Sequence, residues 1–174
     1  MFDPDKSLLV QLMSFAWISL VLVPPVELEV ASGIWESPVV GSALVNSYRQ
    51  SETPYSSGHR GVDFAVSLGQ GVFAPANGTV HYVGKVVDRQ LISIRHEGNL
   101  ISAFEPVCSV LSVGTQVFTG ELIGEVCEAD QDYVPHCPDQ FCLHFSARKS
   151  DEYLSPLWLT GDLAPARLLP WIEP

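Results

Sequence analysis

The chain has 174 residues, of which 20 are acidic and nine are Lys or Arg, giving a formal net charge of −11. That length holds one domain with a proper core plus a terminal segment. No basic cluster occurs along the sequence, so the Lys and Arg contacts that phosphates need are missing and nucleic acid is excluded as a partner; the acidity bears on solubility and identifies no substrate.

Residues 7–23 (SLLVQLMSFAWISLVLV) are uncharged and almost wholly apolar. The stretch is long for the apolar part of a signal peptide and slightly short of the roughly 20 residues that span a bilayer. Pro24-Pro25 ends it, Ala31-Ser32-Gly33 offers small residues for cleavage, and no Lys or Arg follows before Arg49. Ahead of it, Lys6 is offset by Asp3 and Asp5, a weak orienting charge. Residues 1–33 are therefore expected to be an apolar export helix, a signal peptide. The alternatives are an uncleaved anchor that contacts a membrane through residues 7–23, and a buried helix of the domain. Residues 34–57 form a lead-in segment with Pro38, Pro54 and several serines, expected to wrap the domain that follows. Tyr48 and Tyr55 in it are candidates to line a groove, against ordinary packing.

From Gly61 to Val126 short apolar runs alternate with turn signals at Gly69-Gln70-Gly71, Asn77-Gly78, Glu97-Gly98-Asn99, Gly114 and Gly120. Such residues supply the positive φ of tight turns. Strands are predicted over 61–66, 72–74, 79–86, 91–95, 101–104, 116–118, 122–126 and 142–148, with no helical period of useful length. Regularly spaced short strands place residues 58–160 in the all-β class, as a β-sandwich or partly open barrel. Val113-Gly114-x-x-Val117-x-x-Gly120-x-x-Ile123-Gly124 resembles the hammerhead turn of lipoyl-like folds, which narrows the architecture to a lipoyl-like or duplicated-hybrid-motif sandwich and says nothing about chemistry. Residues 128–139 are polar, with two prolines and Asp130, Asp132 and Asp139, and read as a loop over a site mouth. Residues 161–174 are a tail; Trp158 and Trp171 are expected to pack.

Chemistry concentrates at Gly58-His59-Arg60-Gly61-Val62-Asp63 and at Cys142-Leu143-His144-Phe145. An isolated His-x-x-x-Asp arises often by chance. Here Gly58 and Gly61 bracket the His in a loop, and the residues after it alternate as a strand. In the second stretch, period 2 puts Cys142, His144 and Ser146 on one face and Leu143 and Phe145 on the other. Neighbouring strands would then turn His59, Asp63 and His144 toward one point, two imidazoles and a carboxylate being ordinary zinc ligands and three of them the catalytic form of such a site. Four cysteines, Cys108, Cys127, Cys137 and Cys142, form an even set that in an exported chain reads as disulfides, with three connectivities open.

Residues 58–66 (GHRGVDFAV), 69–84 (GQGVFAPANGTVHYVG), 98–107 (GNLISAFEPV), 113–126 (VGTQVFTGELIGEV), 142–148 (CLHFSAR) and 153–159 (YLSPLWL) appear in the order seen in lysostaphin-type zinc metallopeptidases, and the chain resembles that family over about residues 55–160. It is most similar to an actinobacterial branch with Cys-Leu-His in place of His-x-His. The resemblance implies zinc held by His59, Asp63 and His144, and peptidoglycan peptide as the substrate. It also implies a Cys137–Cys142 disulfide, which leaves Cys108 and Cys127 for each other. Ser155 stands where the family's closing segment usually has Asp.

A zinc ion held by this set keeps net positive charge and lowers the pKa of a bound water toward neutrality, so that the water attacks a peptide carbonyl. The family also uses two histidines off the metal, for proton transfer and for the oxyanion. Here the first position is Cys142, whose sulfur in a disulfide has no proton to give or take. The second falls at Glu105, the candidate catalytic base, against a solvated strand-end carboxylate. Among the other histidines, His96 is expected to shape a turn, His81 could take either face of its strand, and His136 could replace a missing imidazole. A rival arrangement uses Cys137, Cys142, His136 and His144 as a structural zinc site. The expected protein is thus an exported, cell-wall-associated zinc metallopeptidase. The alternative is a non-catalytic wall-binding or regulatory module on the same fold. A phosphate-carrier domain on a similar fold is excluded, because export removes it from its phosphoryl donor.

Overall fold

The computed structural model describes residues 34–53, 56–129, 137 and 140–163. The apolar stretch 7–23, Tyr55, His136, Trp171, the tail beyond 163 and most of the 128–139 loop lie outside the described residues, among which no helix is long and apolar enough to cross a membrane.

The lead-in segment supplies β1 (Leu44–Asn46). After it come β2 (Gly61–Ala65), β3 (Gly71–Phe73), β4 (Gly78–Val86), β5 (Arg89–Arg95), a 3-10 turn at Glu97–Asn99 and β6 (Leu100–Glu105). β7 (Val107–Cys108), β8 (Gln116–Val117), β9 (Leu122–Val126), β10 (Cys142–Lys149), β11 (Glu152–Leu154) and the single-turn helix α1 (Pro156–Thr160) complete the described chain. The larger sheet runs β1-β2-β10-β6-β5-β4-β8, with β11 beside the later half of β10; the smaller runs β3-β9-β7. Neighbours are antiparallel throughout, and neither sheet closes on itself, so the all-β expectation is met by two open sheets sharing one core.

Alternation builds that core. Leu143, Phe145 and Ala147 of β10 are buried while Cys142, His144 and Ser146 on the opposite face are half-buried. Val62, Phe64, Ile92, Ile94 and Phe104 meet them from the larger sheet, and Val72, Val107, Ile123 and Val126 from the smaller. Phe104 and Phe145 stack with centroids 5.1 Å apart, and Trp35 of the lead-in segment lies 6.0 Å from Phe145. Each such side chain contributes roughly 1.5–3 kcal/mol by leaving water. Backbone bonds from Trp35 to the Leu159 carbonyl (3.0 Å) and from Phe73 to the Pro38 carbonyl (2.9 Å) hold the two ends of the described chain on this core.

Two turns differ from the sequence expectation. Gly78 opens β4 with an ordinary φ, and a Cβ there would lie 2.5 Å from Ile94 Cγ2 and 2.6 Å from the Arg95 carbonyl. It is a glycine because two strands approach closely, not because the chain turns left-handed. The β4–β5 turn falls at Val87-Asp88, with Val87 at φ 59° and exposed, so β5 begins at Arg89 and not at Leu91. A β-branched residue carries no turn signal, and the turn is imposed by the pairing on either side. His96 stands at the β5–β6 turn, where its backbone N–H donates to the Leu100 carbonyl at 2.8 Å, but its ring is buried: Nδ1 lies 2.9 Å from the Asn77 carbonyl and Nε2 2.8 Å from Ser102 Oγ. Burial pushes its pKa below the usual histidine value, against the raising effect of the Asn77 bond.

Candidate metal centre

β10 is the strand on which the site is built. Its His144 stands opposite Asp63 of β2 on one side and opposite Glu105 of β6 on the other, so the three form one row across the same sheet face. His59 reaches this row from a β-bridge, with backbone bonds of 3.0 and 2.9 Å exchanged with Arg49. His59 Nε2 then lies 3.2 Å from either Asp63 oxygen and 3.2 Å from His144 Nδ1, and His144 Nδ1 lies 2.7 Å from Asp63 Oδ1. Asp63 is wholly buried and His59 is 6 % exposed.

Further contacts aim these groups. His59 Nδ1 is 2.8 Å from the Ser47 carbonyl, to which it must donate, leaving the Nε2 lone pair directed at Asp63 and His144. Asn46 Nδ2 donates to Asp63 Oδ2 at 3.0 Å. Neither partner was found from the sequence, where they only follow the short apolar run 43–45; their role comes from β1 pairing with β2. Gly61 does not loop around His59 but begins β2. A Cβ at Gly61 would sit 2.4 Å from the Phe145 carbonyl and 2.7 Å from His144 Cε1 and Nε2, so the missing side chain lets β10 approach closely and makes room for that imidazole.

The donor set fits a zinc ion. Two imidazole nitrogens and a carboxylate oxygen pointing at one another in a buried spot are three electron-rich groups that a cation reconciles. Ligands about 2.0–2.1 Å from a tetrahedral zinc stand about 3.3 Å from one another, close to the separations seen. The rival structural site does not form: Cys137 is bonded to Cys142, so neither sulfur is a thiolate, and His136 lies outside the described residues. That disulfide instead lies beside the centre, with sulfur and Asp63 ligand atoms within 4.8 Å of one another. Cys108 is bonded to Cys127, joining the ends of β7 and β9.

Glu105 is buried beside His144, and its Oε1 accepts from Arg89 Nη2 at 3.1 Å; Arg89 also meets Asp88 at 2.8 Å. Sequence reasoning missed Arg89, which starts a strand predicted two residues later. His81 lies at a bulge in β4, exposed and 3.2 Å from Arg95 Nη2. Tyr48 packs on the core and donates to the Tyr153 carbonyl at 3.0 Å, tying the lead-in segment to β11.

The sequence profile described as Peptidase family M23 matches residues 57–156. The uncharacterized protein Rv2891 of Mycobacterium tuberculosis is 33% identical over 132 residues, covering 74% of this chain and 51% of that protein. The chain thus spans about half the length of the curated relatives it matches first. Among solved structures, a zinc containing peptidase from Vibrio cholerae aligns with TM-score 0.58 at 18% identity, over 71% of this chain and 39% of that one. The solution structure of lysostaphin aligns with TM-score 0.58 at 16% identity, over 80% and 62%. With a matching profile that spans the whole of the row described above, the chain belongs to peptidase family M23.

Proposed function

We propose that this chain is an exported zinc metallopeptidase domain that hydrolyses peptide bonds in bacterial peptidoglycan. The observation that carries the reading is the convergence of His59 Nε2, Asp63 and His144 Nδ1 within 3.2 Å of one another. His59, Asp63 and His144 hold the metal, and Ser47 and Asn46 keep the His59 ring and the Asp63 carboxylate aimed at it. When bound, zinc supplies a Lewis acid that acidifies water and polarises a peptide carbonyl. Glu105 is the proton acceptor in this reading: Arg89 fixes its Oε1, while Oε2 has no hydrogen-bond partner among the described residues. Arg89 keeps a guanidinium at the same end of the sheet face, where negative charge develops on the substrate. Two disulfides fit an oxidising, extracytoplasmic compartment, secreted or held at the membrane through residues 7–23.

One specific observation favours a second reading, a wall-binding or regulatory module that keeps the fold, with or without the metal, and does not turn over. Both family positions for a histidine off the metal lack an imidazole: one is the disulfide-bonded Cys142, the other Glu105 in an ion pair. The test is zinc content together with digestion of purified cell walls. The full chain is expected to bind about one zinc and to release new amines in a chelator-sensitive way, with His144→Ala losing both. Zinc bound without amine release leaves the second reading; no zinc at all sinks the peptidase and leaves a module that keeps the fold without the metal.

A further inference from the structure

The sheet face that carries His144 continues into an open groove of about 340 Å³, lined among others by His81, Tyr82, Ser93, Ser146, Arg148 and Tyr153. Register orders it in rows. Next to the His144–Glu105 row comes Ser146–Ala103–Ser93–Tyr82, small or polar groups across four strands. Beyond that comes Arg148–Ile101–Arg95, a cation on each side of a buried Ile101. His81 joins this end through Arg95, 3.2 Å away.

Arg95 donates to the His81 ring, yet no acid offsets its charge or that of Arg148 among the described residues. Arg89 at the metal end is paired with Asp88 and Glu105, whereas among the described residues neither Arg95 nor Arg148 meets a carboxylate. That is unusual company in a chain with 20 acidic residues and nine Lys or Arg. The local field is positive: His81 is held below the ordinary histidine value by burial and then by the charges of Arg95 and Arg148. Arg148 lines the groove and Arg95 stands in the same row at its end, and forked guanidinium donors so placed are suited to a carboxylate.

We propose that the Arg148–Arg95 row is a carboxylate subsite, and that the groove takes an extended peptide bearing a free carboxylate in preference to an uncharged bridge. This rests on the peptidase reading above and names its substrate class. At about 3.3 Å per residue of strand, Arg148 lies about 13 Å along β10 from His144, so the carboxylate belongs within about four residues of the bond presented at the metal centre. Tyr153, opposite Arg148 in register and with Arg60 5.7 Å from its ring centroid, walls the groove at the arginine end.

The experiment is fluorescence anisotropy on the full chain with labelled Ala-γ-D-Glu-Lys-D-Ala as the free acid and as its fully amidated form. The acid is expected to bind at least about tenfold tighter, the effect of one charge-assisted bond pair, and the margin should shrink as salt rises. Arg95→Gln/Arg148→Gln should bring the two peptides to equal affinity with binding of the amide unchanged, while Arg95→Lys/Arg148→Lys keeps part of the preference. Equal affinities in the wild type, or a preference that survives Arg95→Gln/Arg148→Gln, overturn the subsite. Hydrolysis of the same peptides by zinc-loaded protein separates the two ideas: acid preference without cleavage removes the peptidase reading alone, and cleavage without acid preference removes the subsite alone.

Discussion

Each of the three groups that meet at the centre is kept there by something that is not a ligand. The Ser47 carbonyl fixes the tautomer of His59, Asn46 holds one oxygen of Asp63, and the absent side chain of Gly61 leaves room for the His144 ring. Gly61→Ala would put a methyl 2.4 Å from the Phe145 carbonyl and 2.7 Å from two atoms of that ring. Its expected effect is a fall in zinc affinity, read by chelator competition, together with a lower unfolding free energy, because the β2–β10 pairing must also give way. Asn46→Ala should cost about 10–100-fold in the same assay, the usual scale for an outer partner of a metal ligand. Unchanged affinity in both would mean that the centre is not held as described. The ligand candidates were legible in the sequence because His-x-x-x-Asp and an alternating Cys-Leu-His strand are local patterns. Asn46 and Ser47 were not, because what selects them is a pairing of β1 with β2 across 17 residues.

Among the elements, β10 was the most readable, since period 2 sorts its residues into core and site faces and tertiary packing agrees with that sorting. Arg148 lies on the same alternation, four residues past His144, and could have been placed on the site face from spacing alone. Harder cases are those where the reason for a residue is distant. Gly78 carries the look of a turn and serves a close strand approach, and His96 carries the look of a hairpin residue and serves as a buried link from the Asn77 carbonyl to Ser102. The lowered pKa of His96 has a pH consequence. The unfolded chain, with histidine near 6.5, takes up a proton before the folded one does, so stability rises with pH through this interval. The contribution is complete above about pH 6.5 and is lost as pH falls through the lower folded value. Urea midpoints should therefore drop on acidification from about pH 7.5 to about pH 5.5, and the drop should be smaller in His96→Gln. Parallel drops in both proteins would show that His96 plays no part.

At the scale of the whole molecule, two open sheets close on one core and two disulfides sit at its margins. Cys108–Cys127 closes a separation of 19 residues and Cys137–Cys142 one of 5. By loop entropy these contribute about 3 and about 2 kcal/mol respectively. Cys108→Ser/Cys127→Ser is expected to lower the unfolding free energy by about 3 kcal/mol in urea titrations, with zinc content kept, since that bridge links β7 and β9 of the smaller sheet. A variant as stable as the wild type would leave the bridge without a structural role. The central claim is that His59, Asp63 and His144 share one zinc ion. Crystals of the protein grown with zinc, measured on both sides of the zinc absorption edge, test it most directly. The account requires an anomalous peak within bonding reach of His59 Nε2, Asp63 and His144 Nδ1; a peak elsewhere with none between these three, or no peak at all, would contradict it.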